Sequence, residues 1–273
     1  MEEHKIGQNI EANKAFMERI FWHMVGVVNL VRRRGEISPG RNVSWQEIGT
    51  GAACRYRNAN IILTAKHVLD DAGPSDLRFL PRGTGRIEWA DEPKRTRVER
   101  AALDVHEIIR CTWDDLAAIV LGPKMAESVN IRFCELPGNF SNPPEVEPVL
   151  IIGYPYDQSF VAETMREGTE MVHRKAAKSD GFWGEVATTE KPLSGFDRER
   201  HFLVKFHPSF PGGRPEGYSG AGVWFPRKAD AASGVWTADP LLVGIETHAY
   251  EKLGLLRVIR SSAVRTFLEE VLG

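Results

Sequence analysis

The sequence predicts an all-β protein with minor helix, in which two successive β-units lie between a helix at each end. From residue 46 onward, short runs rich in β-branched and aromatic residues alternate with turn residues, which is typical of antiparallel strands. A segment dense in proline, glycine and asparagine, residues 137–148, separates these runs into two groups. The spacing fits two antiparallel barrels, and on its own it describes a sandwich equally well.

Residues 1–34 are predicted to form an N-terminal helical extension. Apolar side chains recur at helical intervals over residues 9–24, which gives this segment an amphipathic face. The run VGVVNLV that follows is apolar apart from its asparagine, so it either continues the helix or begins a strand. The apolar positions of the helix are Ile10, Phe16, Ile20, Phe21 and Met24.

The first β-unit is predicted over residues 35–136 and the second over residues 149–260, with residues 137–148 as the linker between them. The strand-like runs of the first unit are EIGTGAACRY, ANIILTAKHV, DLRFLP, GRIEWA, VHEIIRC and DLAAIVLG. Those of the second unit are VLIIGYP, GFWGEVATT, HFLVKFHPSF, GAGVWFP, PLLVGIETHAY and LLRVIR.

Residues 261–273 are predicted to close the chain as a helix. Ser262 is of a residue type that caps helix N-termini, so we expect the helix to begin there. The residues that follow repeat at helical spacing, which predicts one face buried against the second unit. The apolar face consists of Val264, Phe267, Leu268 and Val271.

Composition and charge exclude several kinds of partner. The 35 basic and 37 acidic residues give a formal net charge of -2, so the chain lacks the broad positive field that nucleic acid or an anionic membrane would attract. The run IFWHMVGVVNLV is uncharged over twelve residues and is too short to span a bilayer. No secretory signal is recognisable at the N-terminus. We expect a cytoplasmic protein with neither a nucleic-acid partner nor a membrane.

No cofactor and no metal site is predicted. The three cysteines, Cys54, Cys111 and Cys134, are an odd number without a CxxC spacing, which argues against a disulfide framework and a thiolate metal site. His201 and His207 are six residues apart, and the sequence has no HExxH motif. The cysteine usage fits a reducing compartment.

Three stretches carry the residue types that hydrolytic chemistry needs. ANIILTAKHVLDD contains His67, and TWDDLAAIVLG places Asp114 and Asp115 before an aliphatic run. PEGYSGAG sets Ser219 among glycines, which reach positive φ and let a turn aim several N–H groups at one point. Each stretch alone is better explained as a core histidine, a strand cap and a glycine-rich hairpin. Together they supply a serine, a base that takes its proton and a carboxylate that orients the base.

These stretches resemble the motifs of trypsin-like serine proteases. TAKHV (64–68) looks like the histidine motif of that family, DLA (115–117) like its aspartate motif, and GYSGA (217–221) like its serine motif. The order is also the same, with separations of 48 and 104 residues (67 to 115 and 115 to 219). GTGA (49–52), GYP (153–155) and VGI (243–245) are similar to the bacterial Deg-type branch. The resemblance covers residues 46–272.

The resemblance implies two six-stranded antiparallel β-barrels of the chymotrypsin type and a serine endopeptidase that acts on proteins or peptides. It implies Ser219 as nucleophile, His67 as general base and acid, and Asp115 as the orienting carboxylate. The backbone N–H groups of Gly217 and Ser219 would form the oxyanion hole. Asp115 is preferred to Asp114 because it directly precedes the leucine-alanine pair, and strand alternation lets one of the two acids reach His67.

The sequence departs from animal trypsins beside the base and beside the nucleophile. Val68 stands where trypsins have a disulfide-bonded cysteine, and Tyr218 stands where they have the aspartate that receives a new N-terminus. Activation by that salt bridge is therefore excluded. Lys66 is unusual next to the histidine, and we expect its side chain to point away from His67.

The residues of the specificity pocket are predicted less directly. Gly213 lies six residues before the serine, where trypsins carry an acid, so a preference for basic substrates is not supported by that position. Glu216 and Glu246 are nearby in sequence and leave the question open. Thr247 and His248, together with Gly213, are the expected substrate-binding residues.

Two other functions remain open at this stage. One is a catalytically silent or partner-activated binding module with a protease fold, and the other is an esterase for non-peptide acyl groups. The chain is also expected to lack the C-terminal peptide-binding modules of Deg-type proteases. A regulatory protein partner that docks on the N-terminal helix would replace them.

Overall fold

The computed structural model describes both β-units, the end of the N-terminal helix and the C-terminal helix. The predicted strand GRIEWA (85–90), as well as Ile10, His207 and Gly213, lies outside the described residues. The described residues are 15–31, 45–69, 73, 77–80, 104–122, 131–145, 147–155, 159–167, 170–177, 179–206, 215–230 and 235–273.

The elements are numbered in chain order within these ranges. The helices are α1 (residues 15–21), α2 (Lys66–Leu69) and α3 (Ser261–Leu272), with a 3-10 turn at Glu251–Leu253. The strands are β1 (Met24–Val31), β2 (Trp45–Tyr56), β3 (Ala59–Thr64), β4 (Leu77–Leu80), β5 (Val105–Arg110), β6 (Ala117–Leu121), β7 (Cys134–Leu136), β8 (Val149–Gly153), β9 (Ser159–Glu167), β10 (Glu170–Ala177), β11 (Asp180–Gly184), β12 (Val186–Ala187), β13 (His201–Lys205), β14 (Gly222–Asp230), β15 (Val235–Tyr250) and β16 (Leu255–Arg260).

The first sheet contains the strands before the linker. Its order is β4-β1-β2-β3-β6-β5, all antiparallel, and β7 pairs in parallel with β2. Because side chains alternate along a strand, every second residue points to one side of this sheet and is buried. Val25 and Val27 of β1, Ile62 of β3, and Ala117 and Ile119 of β6 belong to this core.

The second sheet contains the strands after the linker. Its order is β11-β8-β14-β15-β16-β13-β12, and each described pair is antiparallel. β9 and β10 form a separate antiparallel hairpin. Ile151, Val223, Val243 and Val258, from four neighbouring strands, form part of the second core.

A third buried cluster joins the two units and fixes both ends of the described chain. Phe16 and Ile20 of α1 are buried in it, and the ring of Phe16 stacks on Trp183 with centroids 5.9 Å apart. α3 contributes Phe267 and Leu268 to the same cluster. The relative position of the two sheets, and so of any site between them, therefore depends on apolar packing.

Several expectations differ from the structure in detail. Among the described residues each sheet has seven strands, because β1 and β7 join the first sheet and the short β12 joins the second. Residues 24–31, assigned from sequence to the N-terminal helical segment, form β1 in the first sheet, because Val25 and Val27 fill its core. Ser262 does not cap α3. The helix follows β16 directly and has Arg260 as its N-cap residue. The hydroxyl of Ser261, the first residue of the helix, donates a hydrogen bond to the carbonyl of Ser141.

The predicted apolar face of α3 is confirmed. Three of its side chains are buried and the fourth is partly buried, which secures the C-terminal helix against the cluster between the units. The buried members are Val264, Phe267 and Leu268, and the partly buried one is Val271.

Candidate active site

The strand register of the first sheet brings His67 and Asp115 together. β3 pairs with β6 so that Thr64, the last residue of β3, is opposite Ala117, the first residue of β6. His67 comes three residues after Thr64, in the short helix α2, and Asp115 comes two residues before Ala117. Two positions that are 48 residues apart in sequence therefore meet at one end of the same strand pair.

Both carboxylate oxygens of Asp115 hold His67. The ring Nδ1 of His67 is 2.8 Å from Asp115 Oδ2, and the backbone N–H of His67 donates to Oδ1 over 3.0 Å. Because an ionised carboxylate only accepts hydrogen bonds, Nδ1 carries the proton and the basic lone pair of the neutral ring is on Nε2. The imidazole is half exposed, with 50% of its side-chain surface accessible, so Nε2 can take a proton from a neighbouring group.

The surroundings of Asp115 keep it ionised. Burial alone would raise the pKa of Asp115, but hydrogen bonds from His67 and the positive charges of His67 and Arg257 lower that pKa below its usual value. Nη2 of Arg257 lies 3.8 Å from Oδ2 of Asp115. Arg257 also donates to Gly195 O over 2.7 Å and to Thr247 Oγ1 over 3.2 Å, which fixes the guanidinium beside the carboxylate.

Asp114 points the other way and pairs with a different histidine. Its Oδ2 is 2.9 Å from His201 Nε2, and this pair is almost fully buried. His201 Nδ1 accepts the backbone N–H of Asp197 over 2.9 Å, so the proton of the ring is on Nε2 and is donated to Asp114. Burial would raise the pKa of Asp114, but the His201 hydrogen bond, the N–H of Asp115 and the charge of Arg200 lower it.

Further hydrogen bonds anchor the loop that carries both acids. Lys66 Nζ donates to the carbonyl of Cys111 over 2.9 Å, so the side chain of Lys66 is directed toward the loop. Arg200 Nη1 donates to the carbonyl of Trp113 over 2.7 Å, and the N–H of Cys111 donates to Leu116 O over 2.9 Å. These bonds come from both units and fix the position of Asp115.

The loop around Ser219 has the backbone shape that its glycines predict. Gly217 has a φ of 95° and Gly220 a φ of 89°, which side chains other than glycine rarely adopt. The N–H groups of Tyr218, Gly220 and Ala221 donate to protein carbonyls. Within the described part of the chain, the N–H groups of Gly217 and Ser219 have no protein acceptor. These two are the donors that the resemblance implies for an oxyanion.

Thr50 connects the serine loop to the histidine segment. Its N–H donates to Ser219 O over 2.8 Å and its hydroxyl donates to Gly217 O over 2.7 Å. Its carbonyl accepts the hydroxyl of Thr64 over 2.7 Å, at the end of β3. A Cβ at Gly220 would collide with Thr50 O and Thr64 Oγ1, so the loop is pressed against the strand end that leads to His67.

Tyr218 belongs to the second core. Its side chain is fully buried and meets the ring of Phe182 edge to face, with centroids 5.7 Å apart. Gly153 of β8 lies so close that an added Cβ would come within 2.7 Å of the tyrosine ring. A buried aromatic side chain is therefore adjacent to Ser219, at the position where trypsins have an aspartate.

The described residues predicted to bind substrate lie on β15 beside the same loop. Thr247 is fully buried and accepts a hydrogen bond from Arg257. His248 is exposed and its ring meets Tyr250 edge to face at 4.9 Å. Desolvation lowers the pKa of His248, and the charges of Arg257 and His67, at the candidate catalytic centre, lower it further.

Glu246, the neighbour of Thr247, is a buried acid at this centre. It is 1% exposed, and burial raises its pKa to about 8 against the attraction of His67 and Arg257. Its backbone is bonded to the serine loop, since the N–H of Gly220 donates to Glu246 O over 2.8 Å and Glu246 N–H donates to Ala221 O over 2.9 Å.

Sequence reasoning did not identify Thr50, Arg257 and His201 as parts of the site. Thr50 stands within the GTGA motif, which was a usable signal, because a threonine between two glycines of a buried strand needs partners for its hydroxyl. Arg257 and His201 stand in runs that look like ordinary core strands. Their roles depend on contacts with residues far away in the sequence.

The structure contains no sign of a metal centre or a membrane helix in the part that it describes. No group of three or more His, Cys, Asp and Glu side chains is positioned there to hold a metal ion. Among the described helices, none has both the length and the apolar character needed to cross a membrane.

Solved structures of chymotrypsin-fold serine proteases resemble this chain. The scabies mite inactivated protease paralogue S-I1 has a TM-score of 0.56 and 15% identity, covering 93% of this chain and 95% of that one. A serine endoprotease from Yersinia pestis gives 0.51 and 18%, covering 94% and 65%. The Rv3671c protease of M. tuberculosis, in its active form, gives 0.53 and 12%, covering 95% and 85%. No protein-family model and no curated protein matches the sequence.

These similarities confirm the predicted chymotrypsin-type fold, with two β-barrels and minor helix, and exclude the sandwich. They do not decide activity, because one similar structure is named an inactivated paralogue and another an active protease. Function must therefore be argued from the residues of the site.

Proposed function

We propose that this protein is a serine endopeptidase that cleaves peptide bonds of protein substrates through an acyl-enzyme. The observation that carries the proposal is the pair of hydrogen bonds between Asp115 and His67: Oδ2 is 2.8 Å from the ring Nδ1, and Oδ1 is 3.0 Å from the backbone nitrogen. Because Nδ1 donates its proton to Asp115, Nε2 is the basic atom of the ring. The loop of Ser219 packs against the strand end next to His67.

In the proposed reaction, Ser219 Oγ attacks the carbonyl carbon of the scissile bond while His67 Nε2 takes its proton. The carbonyl oxygen becomes an oxyanion that accepts hydrogen bonds from the N–H groups of Gly217 and Ser219, whose hydrogens are unused within the described residues. His67 then gives the proton to the leaving amine, which breaks the C–N bond and leaves an ester on Ser219. Water, deprotonated by His67, hydrolyses that ester.

Labelling with a fluorophosphonate tests the nucleophile. The reagent should modify wild type and fail to modify Ser219→Ala. Ser262→Ala is the matched control, because it makes the same chemical change at an exposed serine of α3 and should label like wild type. Equal labelling of wild type and Ser219→Ala would refute the proposal.

Two other functions give different results in peptide assays. A catalytically silent module would cleave nothing, and the intact His67–Asp115 pair is evidence against it. An esterase would hydrolyse small esters far faster than peptides. Digestion of a proteome-derived peptide pool, together with hydrolysis of a small ester at the same enzyme concentration and Ser219→Ala as control in both assays, therefore separates all three functions, and the peptide pool also reports specificity.

We also propose a cytoplasmic location and a regulatory partner at the N-terminal helix. In α1 the side chains of Phe16, Ile20 and Phe21 are buried in the protein itself, so we place the contact with the partner in residues 1–14. Deleting residues 1–14 should then abolish partner binding without loss of the fold. Unchanged partner binding would contradict this docking site.

A further inference from the structure

Glu246 presents a buried carboxyl group toward the interior of the second unit. Within β15 it is paired with Val258 of β16, and cross-strand partners share one face of a sheet. Val258 belongs to the second core, so the side chain of Glu246 leaves the strand on the core side. Its Oε2 is fully buried and has no hydrogen-bond partner among the described residues.

Glu246 is also directly behind the serine loop. Its backbone carbonyl and N–H are bonded to Gly220 and Ala221, the two residues that follow Ser219. The charges of His67, Arg257 and Asp115 all act on its carboxyl. The acid therefore lies within the catalytic centre and is at the same time shielded from solvent.

The guanidinium of Arg257 acts on Glu246 by its charge but is hydrogen-bonded elsewhere. All three guanidinium nitrogens of Arg257 are directed to other groups: Nε to Thr247 Oγ1, Nη1 to Gly195 O and Nη2 toward Asp115. A buried acid with an unsatisfied oxygen is costly, and such groups persist mostly where function requires them. We therefore expect the hydrogen-bond donor to Glu246 Oε2 to be a group of the bound substrate.

Resting on the proposed peptidase function, we propose that Glu246 is a specificity-determining residue that binds a cationic side chain, lysine or arginine, of the residue before the scissile bond. The carbonyl carbon attacked by Ser219 belongs to that residue, so its side chain starts beside the loop that is bonded to Glu246. A lysine or arginine side chain has the N–H donors that Oε2 lacks.

This assignment does not need an acid at Gly213. The carboxyl of Glu246, on β15, would supply the negative charge that trypsins have six residues before the serine. Because the site is buried, a neutral side chain there would leave Oε2 unpaired, while a cation would form a charge-assisted hydrogen bond. The expected discrimination is about ten- to hundred-fold in the rate of acylation.

Two phosphonate probes that differ in one group test the proposal. One has a lysine-like aminobutyl side chain next to the phosphorus and the other a norleucine-like butyl side chain of similar size. Wild type should react with the cationic probe at least about ten times faster. Glu246→Gln keeps the size and removes the charge, and it should bring this ratio close to one.

The matched control is Glu269→Gln, which makes the same change at an exposed acid of α3 and should keep the wild-type ratio. Native tryptophan fluorescence verifies that each variant is folded. If Glu246→Gln does not fold, the wild-type ratio decides: a ratio of about ten or more supports the proposal, and a ratio near one overturns it.

Failure of this inference is distinguishable from failure of the peptidase proposal. Absence of labelling by a side-chain-free fluorophosphonate would overturn the nucleophile, and with it both proposals. Labelling by that reagent together with equal rates for the two phosphonates would overturn the role of Glu246 alone. An unchanged ratio in a folded Glu246→Gln variant would have the same meaning.

Discussion

Replacing Asp114 and Asp115 separately by asparagine should give opposite phenotypes, because the two neighbouring acids hold different histidines. Asp115→Asn should lose activity and keep most of the stability of the protein. Asp114→Asn should lose stability and keep most of the activity. The geometry around each carboxylate fixes which way the new amide must turn, so both effects can be worked out atom by atom.

In Asp115→Asn, the backbone N–H of His67 requires an acceptor at the Oδ1 position, so the amide oxygen takes that place. The NH2 group then faces His67 Nδ1, which must accept, and the ring proton moves to Nε2. A ring protonated at Nε2 cannot take the proton of Ser219, and the rate should fall by about 10,000-fold. Because both hydrogen bonds to His67 are kept as neutral bonds and the ring is half exposed, the free energy of unfolding drops by only about 0.5–1.5 kcal/mol.

In Asp114→Asn, the N–H of Asp115 holds the amide oxygen at the Oδ1 position over 2.8 Å. The NH2 group then faces the Nε2–H of His201, and two donors oppose each other. His201 cannot change its tautomer without losing the bond from the Asp197 N–H. Since both side chains are at most 5% exposed, the expected cost is about 1.5–3 kcal/mol of unfolding free energy.

The stability difference for Asp114 should also depend on pH. The folded pKa of Asp114 is lower than its ordinary value of 3.8, so the group stabilises the fold above that value. This contribution is lost as the pH falls below 3.8 through the folded pKa. The gap between wild type and Asp114→Asn should therefore be constant near neutral pH and shrink in acid.

Guanidinium unfolding followed by the fluorescence of the seven tryptophans measures stability, and the rate of fluorophosphonate labelling measures activity. If Asp114→Asn lost activity as severely as Asp115→Asn while its stability stayed that of wild type, the assignment of Asp115 to His67 would be refuted. Equal losses of stability in both variants would refute the account of the buried pair.

Three further outcomes follow from the same geometry. Burial raises the folded pKa of Glu246 from 4.5 to about 8, so ionisation of this acid lowers the stability of the fold as the pH rises between these values. In urea unfolding, Glu246→Gln should therefore be more stable than wild type at pH 9, by at most roughly 5 kcal/mol. The two proteins should be equally stable at pH 4. Burial raises the pKa of the Cys134 thiol to about 12 and that of Cys54 well above its usual value, so iodoacetamide followed by mass spectrometry should modify neither in the native protein and both in guanidinium. Thr50→Val removes two buried side-chain hydrogen bonds, which should cost about 1–3 kcal/mol in urea unfolding and slow the labelling of Ser219; an unaltered labelling rate would contradict the role of Thr50 in holding the loop.

Local pattern was enough to predict the parts of the site that depend on neighbouring residues. The expectation that only one of the two neighbouring acids reaches His67 agrees with the structure, although both acids lie in the loop before β6 and not in a strand. The glycines around Ser219 require a turn with positive φ, which Gly217 and Gly220 adopt. Both arguments use only residues within a few positions of each other.

Contacts between distant segments were beyond such reasoning. His201 and Asp114 are 87 residues apart, and neither run signals the other. Glu246 stands in the run VGIETHAY, where an acid would ordinarily face solvent; the pairing with β16 shifts by one residue between Glu246 and His248, and this irregularity accompanies the burial of both Glu246 and Thr247. Residues 24–31 are apolar at almost every position, so no periodicity distinguished a strand from a helix.

Asp115 of the proposed triad and Glu246 beside the serine loop differ in environment, and under the proposed function this difference separates catalysis from recognition. Asp115 is partly exposed and receives hydrogen bonds from His67, so it is ionised and can stabilise the imidazolium. Glu246 is buried with a bare oxygen and a pKa of about 8, so near neutral pH it is mostly protonated and adds little negative charge to the triad. A bound cation would favour the charged form of Glu246, because an opposite charge at close range lowers the pKa of an acid. The carboxyl would thus become negative when the proposed substrate side chain enters, and the resting triad would keep Asp115 as its negative charge.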